Sequence, residues 1–214
     1  MTRTGRVEAD RERSVRAVRE KARDAAAATV LIVGLATATP TAVAAQIEQP
    51  GREGQWLAVG IGGGVDQIAC AICAGTPKPG VAGFVRFGGT MSDRVLLGGE
   101  LDLWTRSEEG IRQYLGGLQA IGLLYAGPAA RFHLKGGLGV MGFRATEDGD
   151  ALTSLAFGVS AGIGYDFPVR DNLSLTPFAS LSLAPFADLK FNGELAQGGA
   201  TLGLLKGGLS LTWH

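Results

Sequence analysis

The sequence predicts an all-β chain: an eight-stranded antiparallel up-and-down transmembrane β-barrel, preceded by a cleavable signal peptide. Three observations predict it. The last third of the chain alternates apolar and small residues with period two; 34 of the 214 residues are Gly, with no G-X-Y period; and the first 45 residues read as an export leader. Twenty Lys or Arg against twenty Asp or Glu give a formal charge of zero, which carries no nucleic-acid footprint. With 46% apolar residues and a mean hydropathy of +0.18, the chain is too hydrophobic for disorder. Two Cys and two His leave no multi-ligand zinc site, and no other cofactor motif is present.

The leader carries Arg3, Arg6, Arg11, Arg13, Arg16, Arg19, Lys21 and Arg23, then the apolar stretch Ala25 to Ala36, then small residues around Ala42–Ala45 that fit a cleavage site. Its apolar core is short for a membrane anchor, and Pro40 precedes the cleavage box. No Cys lies near that box, which argues against a lipid-modified N-terminus. Residues 46–214 form the barrel domain. The leader removes eight basic and five acidic residues, so this domain keeps 12 Lys or Arg against 15 Asp or Glu and is mildly acidic.

The first strand is predicted over about Gln55 to Gly64, followed by a long connection, Val65 to Gly80. The second runs from about Val81 to Thr90 and, after a short turn, the third from Arg94 to Thr105. The fourth, Arg112 to Ala126, has Leu115, Leu118, Ile121, Leu123 and Leu124 on both parities, so its facing is ambiguous. The fifth spans about Arg131 to Phe143. The sixth is the clearest: Leu155, Phe157, Val159, Ile163, Tyr165 and Phe167 alternate with Ala156, Gly158, Ser160, Gly162, Gly164 and Asp166. After Pro168 to Asn172, the seventh places Leu173, Leu175, Leu181 and Leu183 opposite Ser174, Thr176, Ser180 and Ser182. The eighth closes with Leu205, Leu209, Leu211 and Trp213. Arg144 to Thr153 and Ala184 to Gly199 are expected to be long loops, so short turns at one end would alternate with longer loops at the other. Pro177 is expected at a bulge or near a turn, since a closed barrel has no free edge.

Alternation alone does not identify the solvent. The less apolar parity does: it is mostly Gly, Ser and Ala, which suits the crowded interior of a narrow barrel better than a watered face. Closure also satisfies every backbone group, as hydrocarbon requires. Trp213, Tyr165 and Phe167 fall near the short-turn end, where an aromatic girdle belongs.

The leader, GGLGVMGF at 136–143, FGVSAGIGYDFPVRDNLSLTPF at 157–178 and the closing GGLSLTWH together resemble the small outer-membrane β-barrels, the OmpA-like and OmpX-like transmembrane domains. The resemblance covers 46–214 as a strand pattern, without a catalytic motif. It implies residence in the outer membrane among its lipids, a monomer, loops displayed outward, and assembly by the barrel-assembly machinery through a terminal aromatic signal. Here that signal is Trp213, displaced by one residue because His214 is last.

Several residues merit a functional reading. Cys70 and Cys73, C-A-I-C in the first long connection, read as a loop disulfide rather than a redox pair, since no helix N-terminus surrounds them. Arg86, Glu100, Asp102, Lys135, Asp166 and Lys206 fall on the inward parity and read as an ion-paired network filling the lumen; the rival is a conducting pore. Arg86 is expected opposite Glu100 or Asp102, because their strands form a hairpin. His133 is also inward, but no H-x-S pair accompanies it, so a lipid-modifying hydrolase is a minor alternative and the chain reads as non-enzymatic. The glycines within IGGG at 61–64 and GGLG at 136–139 open onto no helix and cradle no phosphate. The remaining rival is a secreted soluble barrel of the lipocalin type, binding an apolar molecule, whose Leu/Phe/Val parity would face inward.

Overall fold

The computed structural model describes residues 54–70, 76–108, 110–126 and 130–214. The leader and Cys73 lie outside the described residues. Nine strands follow in order: β1 (Gln55–Ala69), β2 (Lys78–Ser92), β3 (Val95–Glu108), β4 (Ile111–Ala126), β5 (Phe132–Glu147), β6 (Asp150–Tyr165), β7 (Phe167–Arg170), β8 (Leu173–Phe191) and β9 (Glu194–Trp213). Neighbours in sequence pair antiparallel from β1 to β6, β6 pairs with β8, and β9 returns to β1 through Leu57↔Trp213 to Ala69↔Thr201. The short β7 continues the line of β6 and pairs with the start of β8. The result is a closed ring of eight staves, so every stave has a hydrogen-bonded neighbour on both sides.

Pro177 explains why the sixth stave is divided. It keeps regular register with Leu209 of β9, so the expected bulge is absent there. On its other side the ladder to β6 ends at Gly164↔Phe178 and resumes at Phe167↔Leu175. Proline has no N–H to donate to Tyr165, the residue opposite it in this register, and the ladder is broken there and at the next residue, Asp166.

The expected long loops at Arg144–Thr153 and Ala184–Gly199 are overturned. β5 and β6 meet at the two-residue turn Asp148-Gly149, and β8 and β9 at Asn192-Gly193. All four residues have positive φ, 45° and 99° then 48° and 90°, as a type I′ hairpin turn demands. β8 and β9 are therefore 19 and 20 residues long, against 15 in β1 and β2. The connection between β1 and β2 remains the longest, and the predicted alternation of short and long connections does not otherwise hold.

The two faces of the wall differ as a membrane barrel requires. Outward, Ile61, Leu101, Leu118, Leu138, Phe157 and Leu209 are each more than half exposed, and they recur around the ring. A band of this size would not remain in water as a monomer. The lipocalin alternative is overturned by the same observation, because the Leu/Phe/Val parity faces out. Tyr165 and Phe167, with ring centroids 4.8 Å apart, and half-exposed Trp213 lie at the end carrying Gln55 and Trp213. The ambiguity of β4 resolves into two apolar faces: Leu115, Ile121 and Leu123 are buried inward, whereas Leu118 and Leu124 are exposed.

Inward glycines let the wall close tightly. Gly62 and Gly208 are cross-strand partners, and a Cβ on either would lie 2.0–2.2 Å from a carbonyl oxygen of the other strand. No residue with a side chain fits there.

Candidate functional site: a charged belt between two apolar plugs

Along β3 the inward positions read Leu96, Gly98, Glu100, Asp102 and Trp104. Along β4 they read Tyr125, Leu123, Ile121, Gln119, Gly117 and Leu115. In both, polar positions separate two apolar groups. One cluster, with Trp56, Leu96, Ile121, Leu123 and Phe178, lies toward the end with the termini. The other, with Trp104, Leu115, Met141, Phe143 and Leu202, lies toward the far hairpins. Trp104 is fully buried yet satisfied, its Nε1 donating to Gly64 O at 3.1 Å.

Between the clusters, Glu100 is the hub. Arg86 is its direct cross-strand partner, and Arg86 Nε donates to Glu100 Oε2. Lys135 Nζ reaches Glu100 Oε1 from β5 at 2.8 Å, and Lys206 Nζ reaches it from β9 at 3.2 Å. Lys206 also donates to Asp102 Oδ2 at 2.7 Å. The Arg86 guanidinium lies 3.8 Å from the centroid of the Phe84 ring, which offers the cation a π face in place of water. Gln119 Oε1 accepts from Ser160 Oγ on the same level. All five charged side chains are buried. Lys135 and Lys206 come from staves on either side of the β2–β3 hairpin, so the network crosses the lumen and occupies it.

The structure separates Asp166 from this belt. Asp166, at the break between β6 and β7, is fully buried and accepts from Tyr125 OH at 2.9 Å and Thr176 Oγ1 at 2.7 Å. His133 Nδ1 stands 3.6 Å from Asp166 Oδ1, and His214 Nε2 stands 3.9 Å from Oδ2. The His133 ring packs on Tyr125 with centroids 4.9 Å apart. Of the six charges assigned to one network, five meet at Glu100 and Asp102, and the sixth belongs with His133 in a second cluster. Tyr125, Thr176 and His214 were not among the candidate site residues read from the sequence. The only available signal was their inward parity, which does not say who meets whom across a barrel.

Cys70 follows β1 directly and packs against the far apolar cluster. Trp213 ends β9, between Leu57 of β1 and Leu173 of β8. Among the described residues, no group of three or more His, Cys, Asp or Glu side chains is arranged to hold a metal ion.

No protein-family model matches the chain, and no curated protein matches it by sequence. Solved structures do. Neisserial surface protein A aligns with a TM-score of 0.53 at 12% identity, covering 75% of this chain and 99% of its own. The chain has the fold of the small outer-membrane β-barrels. Ail, the attachment invasion locus protein of Yersinia pestis, aligns at 15% identity with a TM-score of 0.47, over 74% of this chain and 99% of Ail. OprG from Pseudomonas aeruginosa aligns at 12% identity with a TM-score of 0.43, over 78% and 99%.

Proposed function

We propose that the protein is a monomeric outer-membrane barrel with a structural or surface-interaction role, and that its lumen is a filled interior rather than a conducting pore. The observation that carries this reading is the belt centred on Glu100, with apolar side chains on both sides of it. Three cations and two carboxylates draw together across the bore, and ions would have to displace both that network and Trp104 or Leu115 beyond it. The reading is also non-enzymatic. His133 is 3% exposed and covered by Tyr125, which leaves no cleft for a lipid substrate at its imidazole. Its partners are outer-membrane lipids along the apolar band and, during biogenesis, the barrel-assembly machinery reading Trp213. Residues 1–45 serve as the export leader, and Cys70 and Cys73 form a disulfide in the connection after β1.

The decisive experiment reconstitutes the purified barrel into planar bilayers after cell fractionation has located it. The expected record is silent or shows small, irregular current. A large steady single-channel current would overturn the filled lumen, and recovery of the mature chain in the soluble fraction would overturn the membrane role.

A further inference from the structure

On the outside of the barrel, the regular wall is interrupted where β6 meets β8. Strands of 9–11 residues cross the hydrocarbon layer. Ten residues beyond Tyr165 along β6 lies Leu155, so Leu155 marks the far edge of that layer. At this level the β6–β8 ladder is interrupted between Leu155↔Asp188 and Val159↔Leu183. β8 carries an extra residue here, and Phe186, with φ of 60°, is turned out and 86% exposed. Leu155 and Phe157, 70% and 61% exposed, stand beside it on β6.

One row farther from the membrane, Arg144 of β5 pairs with Thr153 of β6, which pairs with Lys190 of β8. All three face outward. Arg144 and Lys190 are exposed, and neither enters an ion pair among the described residues. Asp188 is the nearby acid. Its Oδ1 would lie 3.3 Å from a Cβ on Gly198, so the carboxylate leans toward β9 and, among the described residues, pairs with neither cation. Two unpaired cations set directly above an exposed apolar seat match the phosphate and the acyl chain of a membrane lipid in the order in which a bilayer presents them.

We propose that Arg144 and Lys190 bind the phosphate of an anionic membrane lipid whose acyl chain rests on Leu155, Phe157 and Phe186. The site rests on the membrane reading of the barrel and adds a specific ligand class to it. A basic residue at a membrane surface is worth about fivefold in affinity at low salt, so the pair gives a preference of roughly 30-fold.

Native mass spectrometry of the detergent-solubilised full chain, supplied with phosphatidylglycerol or phosphatidylcholine of the same acyl chains, reads that preference. Wild type is expected to retain phosphatidylglycerol well over phosphatidylcholine. Arg144→Gln with Lys190→Gln is expected to abolish the difference, while Arg144→Lys with Lys190→Arg keeps it. Phe186→Ser is expected to lower retention of both lipids without changing their ratio. Folding of each variant is checked by the heat-dependent shift of the barrel on a denaturing gel. Equal retention by wild type, or an unchanged preference in the Gln pair, would overturn the site. Displacement of phosphatidylglycerol by millimolar inorganic phosphate would overturn it in favour of a soluble anion. Folded protein that needs no detergent would instead remove the membrane reading itself.

Discussion

Glu100 and Asp166 are both carboxylates with no exposed surface, in the same barrel, and they are held in opposite ways. Glu100 sits among three cations delivered by β2, β5 and β9. Asp166 sits among hydroxyls and imidazoles at the seam of β6, β7 and β8. A buried charge is tolerated either by opposite charge or by enough aimed donors. The two solutions differ in kind. The belt ties β2, β3, β5 and β9 by charge, whereas hydroxyls from β4 and β8 hold Asp166 at the break between β6 and β7, with the imidazoles of His133 and His214 beside it. They also differ in what remains when the carboxylate is removed: three mutually repelling cations in one case, reorientable hydroxyls in the other.

The largest expected effect is therefore Glu100→Leu. It leaves Arg86, Lys135 and Lys206 buried around an apolar side chain, and the loss of stability should be about 3–5 kcal/mol, measured by urea unfolding from lipid vesicles. A loss below that of Asp166→Asn would break the comparison. Removing Arg86 as well should recover part of the deficit, because one of the stranded charges goes with it. A double-mutant cycle on Arg86→Met and Glu100→Leu should show this coupling, and additive losses would mean that Lys135 and Lys206 alone satisfy the glutamate. Asp166→Asn is expected to cost about 1–3 kcal/mol, since the side chain keeps its shape and the hydroxyls of Tyr125 and Thr176 can turn to accept or donate.

The same two clusters mark how far the sequence is legible. Arg86 opposite Glu100 follows from parity and a hairpin, both local properties. Asp166 has the same parity, but its partners are fixed by the break at Pro177 and by which staves face each other across the bore. Neither is a local property. The outer boundary of the barrel was obscured for a related reason. Up to Leu183 the odd positions of β8 are apolar and face lipid; beyond the extra residue near Phe186, odd Ala187 and Leu189 are still apolar but face inward, while Asp188 and Lys190 face out. The bulge reverses the facing where lipid gives way to water, so the alternation continues while its meaning inverts. The Asp148-Gly149 and Asn192-Gly193 pairs were the available turn signals for both hairpins. In β4, by contrast, the alternation is blurred because its inward face contributes Leu115, Ile121 and Leu123 to the two plugs.

The smallest effect sharpens the comparison from the Asp166 side. Thr176 Oγ1 donates to Asp166 at 2.7 Å and lies 3.3 Å from Thr212 Oγ1 on β9. A hydroxyl has one proton to donate, so with Thr176 committed to the carboxylate, Thr212 must be the donor in the second contact. Thr212 is then an outer layer that strengthens the first by polarising it. Thr176→Val removes a bond to the carboxylate itself, whereas Thr212→Val, equally isosteric and β-branched, removes only the outer contact. The expected losses are about 1.5–3 kcal/mol for the first and about 1 kcal/mol or less for the second, by the same unfolding measurement. Equal losses would show that the two threonines act as one unit. In that case β9 would hold the Asp166 cluster as firmly as β8 does.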